Sequence, residues 1–249
     1  MNSIKRPWLP LAVLTIGGAA GAAALAQDQE ARLDQALAAA ERPAADKTRD
    51  ESSNPMEVVE FLGVEDGMTA LDVIAGGGYW TEVLSAAVGA SGKVYMQNPA
   101  FMTSRPGYEE REEAKLDRLG NVEPLHGDLG DGGIAGEVDV AITSMNFHDQ
   151  YNSGGLEAGT AFLRSIYDVL KPGGVLGVID HVGMAGQDNS ELHRVEPEAA
   201  KEALENAGFT VEDESDALAN PDDPHTVGVR DESVSGRTDK FLIRARRPT

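Results

Sequence analysis

Short apolar segments alternate with helical segments from residue 69 to residue 246, and this alternation limits the fold more than any other feature of the chain. TALDVIA, GKVYMQN, VDVAITSMNF and VLGVIDH are apolar along nearly their whole length, as strands buried on both faces are, and NVEPLHGD carries a shorter strand. Strands of this kind, separated by helices, form a parallel sheet. TVEDES and KFLIRARR have no clear helix between them, which favours an antiparallel edge. We predict one doubly wound, Rossmann-like α/β domain over residues 54–249, with a mostly parallel sheet and an antiparallel edge strand.

Ligands of doubly wound sheets bind beyond the carboxyl ends of the strands, where the strand order reverses. The first strand ends in a glycine turn at residues 75–78, which allows a ligand to approach the backbone and leaves helix N–H groups facing it. A tight turn without a ligand is the alternative for a glycine run considered alone. The acidic connection at residues 213–237 is long for a compact domain, and such loops often cover functional sites.

Several motifs in these positions carry a family resemblance. LDVIAGGG, HGD after the third strand, VDVAITSMNFHD and LKPGGVLGVIDH together resemble the class I S-adenosylmethionine-dependent methyltransferases. More narrowly, AGGGYWTEVLS, KVYMQNP, LHRVEP, DDPHT and GRTDKF resemble an exported bacterial group of predicted methyltransferases. The resemblance covers residues 46–247. It implies S-adenosylmethionine as the cofactor and methyl transfer to a small molecule as the activity.

The resemblance also implies roles for individual residues. The residues that match its cofactor-binding positions are Asp72, Gly76, Gly77, Gly78, Asn98 and Asp128. The first four belong to the motif that wraps the amino-acid end and the sugar of the cofactor. Asp128 matches the acid that meets the adenine amino group, although a turn-forming role in GDLGDGG is equally open.

Two positions depart from the family pattern. Ile74 stands where the first glycine of the turn is usual, which narrows the room for a ligand. Asn98 stands where an acid normally holds both ribose hydroxyls. An amide can still hydrogen-bond a diol, but without charge-assisted strength.

Four of the five histidines lie beside motif ends, namely His126, His148, His181 and His225. His148 and His181 follow apolar strands, and we predict that they act as general bases for the methyl acceptor, with Asn146 and Tyr151 positioning it. Metal ligation together with the adjacent aspartates is the alternative. No short metal-binding spacing such as H-E-x-x-H is present, so no metal site is predicted.

The beginning of the chain has the pattern of an export signal. Lys5 and Arg6 precede an apolar run rich in alanine and glycine that ends in ALAQ. We interpret residues 1–26 as a signal peptide cleaved after Ala26, which predicts a periplasmic or secreted protein; a retained membrane anchor is the alternative. Residues 27–53 are rich in alanine and charge and are predicted to form an N-terminal arm.

The chain carries 42 acidic and 21 basic residues, a net charge of −21, and no cysteine. An acidic surface repels nucleic acid and anionic lipid, so a small-molecule substrate is the predicted partner, without nucleic acid or stable membrane insertion after signal cleavage. The lack of cysteine excludes disulfides and thiol catalysis. The sequence leaves open an exported, non-catalytic ligand- or metal-binding protein with the same fold. Ile74, Asn98 and a compartment where S-adenosylmethionine is not expected favour that alternative.

Overall fold

The structure is a computed structural model that describes the backbone of residues 17–249 and the side chains of residues 27–249. Residues 1–16 of the predicted signal peptide lie outside the described residues. The strands are β1 Thr69–Val73, β2 Lys93–Asn98, β3 Val122–His126, β4 Val138–Ser144, β5 Leu170–His181, β6 Thr210–Ser215 and β7 Lys240–Arg246. The α-helices are α1 Gly17–Ala38, α2 Ala44–Ser53, α3 Pro55–Leu62, α4 Tyr79–Val88, α5 Ala100–Thr103, α6 Tyr108–Leu116, α7 Phe147–Val169 and α8 Pro197–Asn206. None of the helices within this described range is long and apolar enough to span a membrane.

The strands form one seven-stranded sheet in the order β3-β2-β1-β4-β5-β7-β6. β1 pairs in parallel with β2 and β4, β2 with β3, and β4 with β5. β7 runs antiparallel to both β5 and β6. The predicted doubly wound α/β fold with an antiparallel pair at one edge is therefore confirmed. The strand order reverses between β1 and β4, so the glycine turn lies beside the residues that follow β4.

The core lies on both faces of the sheet, because alternate residues of each central strand pack under different helices. In β5, Leu176 and Val178 pack in the cluster that includes α7 and α8, whereas Val175 and Ile179 face the cluster under α1, α3 and α4. Leu33 of α1 belongs to the second cluster and is only 1% exposed. Residues 27–53 are thus largely helical and pack against the sheet domain.

The strand predicted to reach Phe147 ends earlier, at Ser144, and that prediction is wrong. Met145 has a left-handed backbone with φ of +59°, which breaks the strand, and α7 begins two residues later. The helix is interrupted by non-helical backbone at Gly154 and Gly155. His148 therefore lies in the first turn of a helix rather than directly on a strand end.

The connection between β6 and β7 folds back over the carboxyl edge of the sheet. Leu218 and Val234 within it are buried, and Leu218 joins the core cluster under α3 and α4. Arg194 pairs with Asp223 through two bonds of 3.0 Å, and both side chains are fully buried. This ion pair fixes the connection to the segment between β5 and α8, as expected for a loop that covers a site.

Candidate functional site

The glycine turn leaves β1 through an isoleucine in a strained conformation. Ile74 has a φ of +53°, in the left-handed region where a branched side chain is rare and costs free energy. Gln97 holds this backbone, since its Oε1 accepts from the Ile74 N–H at 2.8 Å and its carbonyl accepts from the Ala75 N–H at 2.9 Å. Ile74 therefore adopts the left-handed backbone conformation that a glycine at this first position of the turn would allow.

The three glycines of the turn differ in what surrounds them. A Cβ placed on Gly76 or Gly77 would meet no atom within 4 Å, so both face open space. A Cβ on Gly78 would lie 2.8 Å from Lys115 Cδ and 3.0 Å from Met96 Cε. Gly78 is therefore required for packing under the turn, and the open face of the turn belongs to Gly76 and Gly77.

Asn98 is tied to the turn. It is fully buried, its Oδ1 accepts from the Gly76 N–H at 2.8 Å, and its Nδ2 donates to Tyr108 Oη at 2.9 Å. Tyr108 in turn donates to Glu112 Oε1 at 2.6 Å, and burial together with this carboxylate raises the pKa of Tyr108 above its usual value. Asn98 thus shapes the turn, and no free side of its amide faces a ligand.

A first cavity of about 180 Å³ lies on the β2 side of the turn. Its lining includes Gly76, Gly77, Met96, Arg105, Tyr108 and Glu112. Glu112 brings a buried carboxylate to this cavity, where it also lies 2.9 Å from His126 Nε2. β2 ends in Asn98 and so supplies no carboxylate, but Glu112 of α6 brings one to the same cavity.

Asp128 and Asp72 occupy contrasting positions. Asp128 is exposed beyond β3, and the described hydrogen bonds involve its backbone carbonyl but not its carboxylate. Its predicted contact with adenine stays a prediction. Asp72 is buried at the end of β1 and accepts from Thr81 Oγ1 at 2.7 Å. Burial raises the pKa of Asp72 to about 6 against the opposing hydrogen bond from Thr81, so Asp72 supports the turn from within.

A second cavity of about 300 Å³ lies on the β4 side of the turn, closed by α2, the start of α4 and the loop between β6 and β7. Its lining includes Arg49, Trp80, Met145, His181, Leu218, Thr238 and Lys240. The indole N–H of Trp80 is buried without a hydrogen-bond partner. Met145, like Ile74, has a left-handed backbone. Two strained residues on neighbouring strand ends are typical of a functional site.

Two cations of this cavity have no carboxylate bonded to them among the described residues. Arg49 donates to Ser53 Oγ at 3.3 Å and stacks over the Tyr79 ring at 4.2 Å from its centroid. Lys240 is buried and donates to the Thr238 carbonyl at 3.1 Å. Burial lowers the pKa of both cations. Buried charges are usually paired, so this cavity suits an anionic group.

His181 lines the second cavity, whereas His148 does not. His181 Nδ1 lies 2.7 Å from Thr238 Oγ1, and burial lowers the pKa of His181 to about 4, so its ring is neutral at physiological pH. The two histidine rings are neighbours, with centroids 5.7 Å apart. The sequence predicts a general-base role for both histidines, and only His181 lines this cavity.

His148 is held on its other side by an aspartate. Its Nδ1 lies 2.7 Å from Asp180 Oδ1, and its backbone N–H donates to Asp180 Oδ2 at 2.8 Å. Its Nε2 points to Asp149 Oδ1 at 3.2 Å. Burial lowers the pKa of His148, but the hydrogen bond to Asp180 and the charges of Asp180 and Asp149 outweigh it, and the pKa is raised above its usual value.

The structure separates Asn146 from Tyr151, the two residues predicted to position the acceptor. Asn146 Nδ2 donates to the carbonyls of Val73 at 3.2 Å and Ser144 at 3.0 Å, so it links the ends of β1 and β4 beside the turn. Tyr151 packs against Phe147, with ring centroids 5.9 Å apart, and lines a different cleft. The structure does not bring Tyr151 to the second cavity, because its helical position turns it toward the core.

Sequence reasoning missed Arg49, Glu112 and Lys240. Arg49 lies in the segment interpreted as an arm, and no local signal marks it. Glu112 lies in a helix interpreted as a polar surface, although the spacing of Tyr108, Glu112 and Lys115 places them on one face. Lys240 belongs to GRTDKF, which the family resemblance includes, so that motif could have indicated it.

Comparison with known proteins supports the fold. No protein-family model and no curated protein sequence matches this chain. A SAM dependent methyltransferase from Aquifex aeolicus is similar, with a TM-score of 0.56, 25% identity, and coverage of 78% of this chain and 89% of the other. A SAM-dependent O-methyltransferase from Thermotoga maritima gives 0.52 and 20%, over 79% and 65%. The [4+2]-cyclase SpnF gives 0.55 and 21%, over 89% and 93%. The chain has the class I methyltransferase fold, which in SpnF belongs to a cyclase.

Proposed function

We propose that this protein is an S-adenosylmethionine-dependent methyltransferase that acts on a small anionic molecule. One observation carries the proposal: the open face of the glycine turn lies between two cavities at the strand-order reversal. An extended ligand with a sugar at one end and an amino acid at the other suits such an arrangement. S-adenosylmethionine, when bound, supplies an electrophilic methyl group.

The residues on the β2 side fit the nucleoside end of this cofactor. Gly76 and Gly77 leave room for close approach to the backbone. Glu112 offers a carboxylate that could accept hydrogen bonds from ribose hydroxyls, in place of the acid that Asn98 replaces. Asp128, exposed beyond β3, is free to accept from an exocyclic amine.

The residues on the β4 side fit an acceptor that carries an anionic group. Lys240 supplies a buried cation and Arg49 a partly buried one, neither with a bonded carboxylate among the described residues, and Trp80 supplies an unpaired N–H. The cavity of about 300 Å³ is at the small end of ligand pockets. In this arrangement Arg49 holds the carboxylate of the cofactor, which leaves Lys240 for the acceptor.

His181 is the residue that can take a proton from the acceptor. Its ring is neutral at physiological pH, and with Nδ1 at Thr238 its other nitrogen remains for a hydroxyl or amine in the cavity. A pKa of about 4 makes it a weak base, which is the observation that favours the alternative of a binding protein without methyl transfer. His148 is not needed for this step.

Glu112→Gln should weaken cofactor binding about 10- to 100-fold, because the charge-assisted bonds to the sugar become neutral ones. Isothermal titration with S-adenosylmethionine and with its demethylated product measures the change. Glu113→Gln, on the exposed side of the same helix, should bind like the native protein. Equal affinities of the two variants would place the sugar elsewhere, and no binding by the native protein would end the cofactor assignment.

Methyl transfer should require an anionic acceptor. With S-adenosylmethionine labelled in its methyl group, we expect product from carboxylate-bearing small molecules and not from their matched neutral amides. Lys240→Met should lower kcat/KM for that acceptor about 10- to 100-fold and leave cofactor affinity unchanged. Cofactor binding without transfer to any acceptor of either kind would favour the binding protein.

Export is the remaining part of the proposal. Its support is the signal-peptide pattern of residues 1–26. Immediately after the expected cleavage position, Gln29 donates to the carbonyls of Val64 and Ala87, and Arg32 pairs with Asp66. A chain cut after Ala26 would keep these contacts with the domain.

A further inference from the structure

We propose that His148, Asp149 and His193 bind one divalent transition-metal ion, with zinc as the preferred metal, beside the second cavity. This site goes beyond the proposed function and does not depend on it. The three residues come from the first turn of α7 and from the end of the 3₁₀ helix Ser190–Leu192. His193 is far in the sequence from the adjacent His148 and Asp149, which is why no short spacing motif predicts the group.

The three ligand atoms converge at distances suited to a metal. His148 Nε2 lies 3.2 Å from Asp149 Oδ1, and His193 Nδ1 lies 3.4 Å from the same oxygen. All three atoms lie within 4.8 Å of one another. Ligands at about 2.1 Å from a tetrahedral zinc ion are separated by about 3.4 Å. Two imidazoles and one carboxylate form a common zinc donor set and leave a fourth position open.

His148 is already oriented for ligation. Its Nδ1 is bonded to the fully buried Asp180 carboxylate, so the lone pair of a neutral ring is directed from Nε2 toward Asp149 and His193. A carboxylate behind a metal-bound histidine fixes the ring orientation and raises its basicity as a ligand. Asp180 also accepts from the backbone of His148, so the ring position is set by two bonds.

His193 is held in an unfavourable backbone conformation. Its φ of +54° is in the left-handed region, which is unusual for a residue other than glycine. The neighbouring Arg194 is fixed by its buried pair with Asp223, which maintains this conformation. The His148 and His193 rings meet edge to face with centroids 5.7 Å apart. His193 and Asp149 are each about half exposed, at 45% and 59%, so an ion can reach the site from solvent.

Without a metal, the same three groups form a hydrogen-bonded cluster in which Asp149 pairs with the histidines. The charge of Arg230 also acts on His148 and opposes a cation. The negative charges of Asp149 and Asp180 outnumber it. A 2+ ion is thus compatible with the charges that surround the three ligand atoms.

The test is a metal titration of the full chain after dialysis against a chelator. We expect Zn²⁺ to bind with a stoichiometry of one, Co²⁺ to give the visible absorption of a tetrahedral site, and Mg²⁺ to bind far more weakly. His193→Asn should weaken Zn²⁺ binding at least about 100-fold and abolish the Co²⁺ spectrum. Asparagine is chosen because it tolerates a left-handed backbone.

The matched control is His225→Asn. His225 also has a left-handed backbone, with φ of +59°, and also pairs with an aspartate, since its Nε2 lies 2.8 Å from Asp239 Oδ2. It lies outside the three-residue group, so its variant should bind Zn²⁺ as the native protein does. Asp149→Asn, an exposed change, gives a second variant if His193→Asn unfolds. Absence of stoichiometric Zn²⁺ binding, or equal binding by native protein and both site variants, would overturn the proposal.

Discussion

Gly77→Val should abolish the binding of S-adenosylmethionine and leave the fold intact. The backbone of Gly77 is not left-handed and a Cβ there meets no atom within 4 Å, so the free protein accommodates a side chain. That open space is where a cofactor has to approach the turn, and the isopropyl group of valine would fill it. We expect affinity to fall by at least about 100-fold, or about 3 kcal/mol, in isothermal titration.

Two other glycines separate loss of the site from loss of the fold. Gly120 also has open space and precedes β3, at the opposite end of the sheet, so Gly120→Val should bind the cofactor normally. Gly78→Val should instead lower the free energy of unfolding, because its φ is +74° and its Cβ presses on Lys115 and Met96. Native affinity in Gly77→Val would remove the cofactor from the glycine turn.

Arg194→Met should lower the free energy of unfolding by about 3–5 kcal/mol, since it leaves the Asp223 carboxylate buried without its cation. The loop between β6 and β7 should lose its attachment at the same time. Urea unfolding at neutral pH measures the loss, and limited proteolysis reports the loop. Lys93→Met, which breaks the half-exposed pair with Glu123, should cost no more than about 1 kcal/mol. A similar small loss in Arg194→Met would show that the buried pair does not secure the loop.

The difference between Arg194→Met and the native protein should narrow in acid. Burial acts to raise the pKa of Asp223. The hydrogen bonds from the His225 and Asp239 N–H groups and from the Arg194 guanidinium lower it by more, so the pKa lies below its usual value. A depressed carboxyl pKa stabilises the fold above about pH 4 and loses that contribution as the pH falls through the folded value. The variant lacks the Arg194 contribution, so it loses less on acidification.

The fold could be predicted because its signals are local. Each central strand is a continuous apolar run, and the helices between them have their own apolar periodicity, so the order of elements indicates a parallel sheet. The end of β4 could not be predicted, because it depends on a left-handed residue, Met145, that no composition marks. The apolar run simply continues into Phe147, which packs in the core from a helix instead.

The site was predictable only where a motif marks it. The glycine turn follows from the position of β1 in the sequence pattern, and His181 from the position of β5. Whether two such residues share a cavity depends on the elements that carry them: His181 ends β5 and lines the second cavity, whereas His148 lies in the first turn of α7 and does not line it. Asn98 looks like a weakened ribose ligand in the sequence. Its oxygen is bonded to the backbone of the glycine turn at Gly76, and its amide nitrogen donates to Tyr108 of a helix that the sequence marks only as polar.

The order in which the chain is synthesised determines when the second cavity can form. Arg49 comes from an early segment of the chain and Lys240 from the last strand, yet both line the same space. A ribosome releases the first of these residues long before the second. The cavity therefore cannot exist during synthesis, and its walls close only when β7 inserts between β5 and β6. An unfinished chain, or one truncated before its last strand, would lack this cavity and with it the proposed acceptor site.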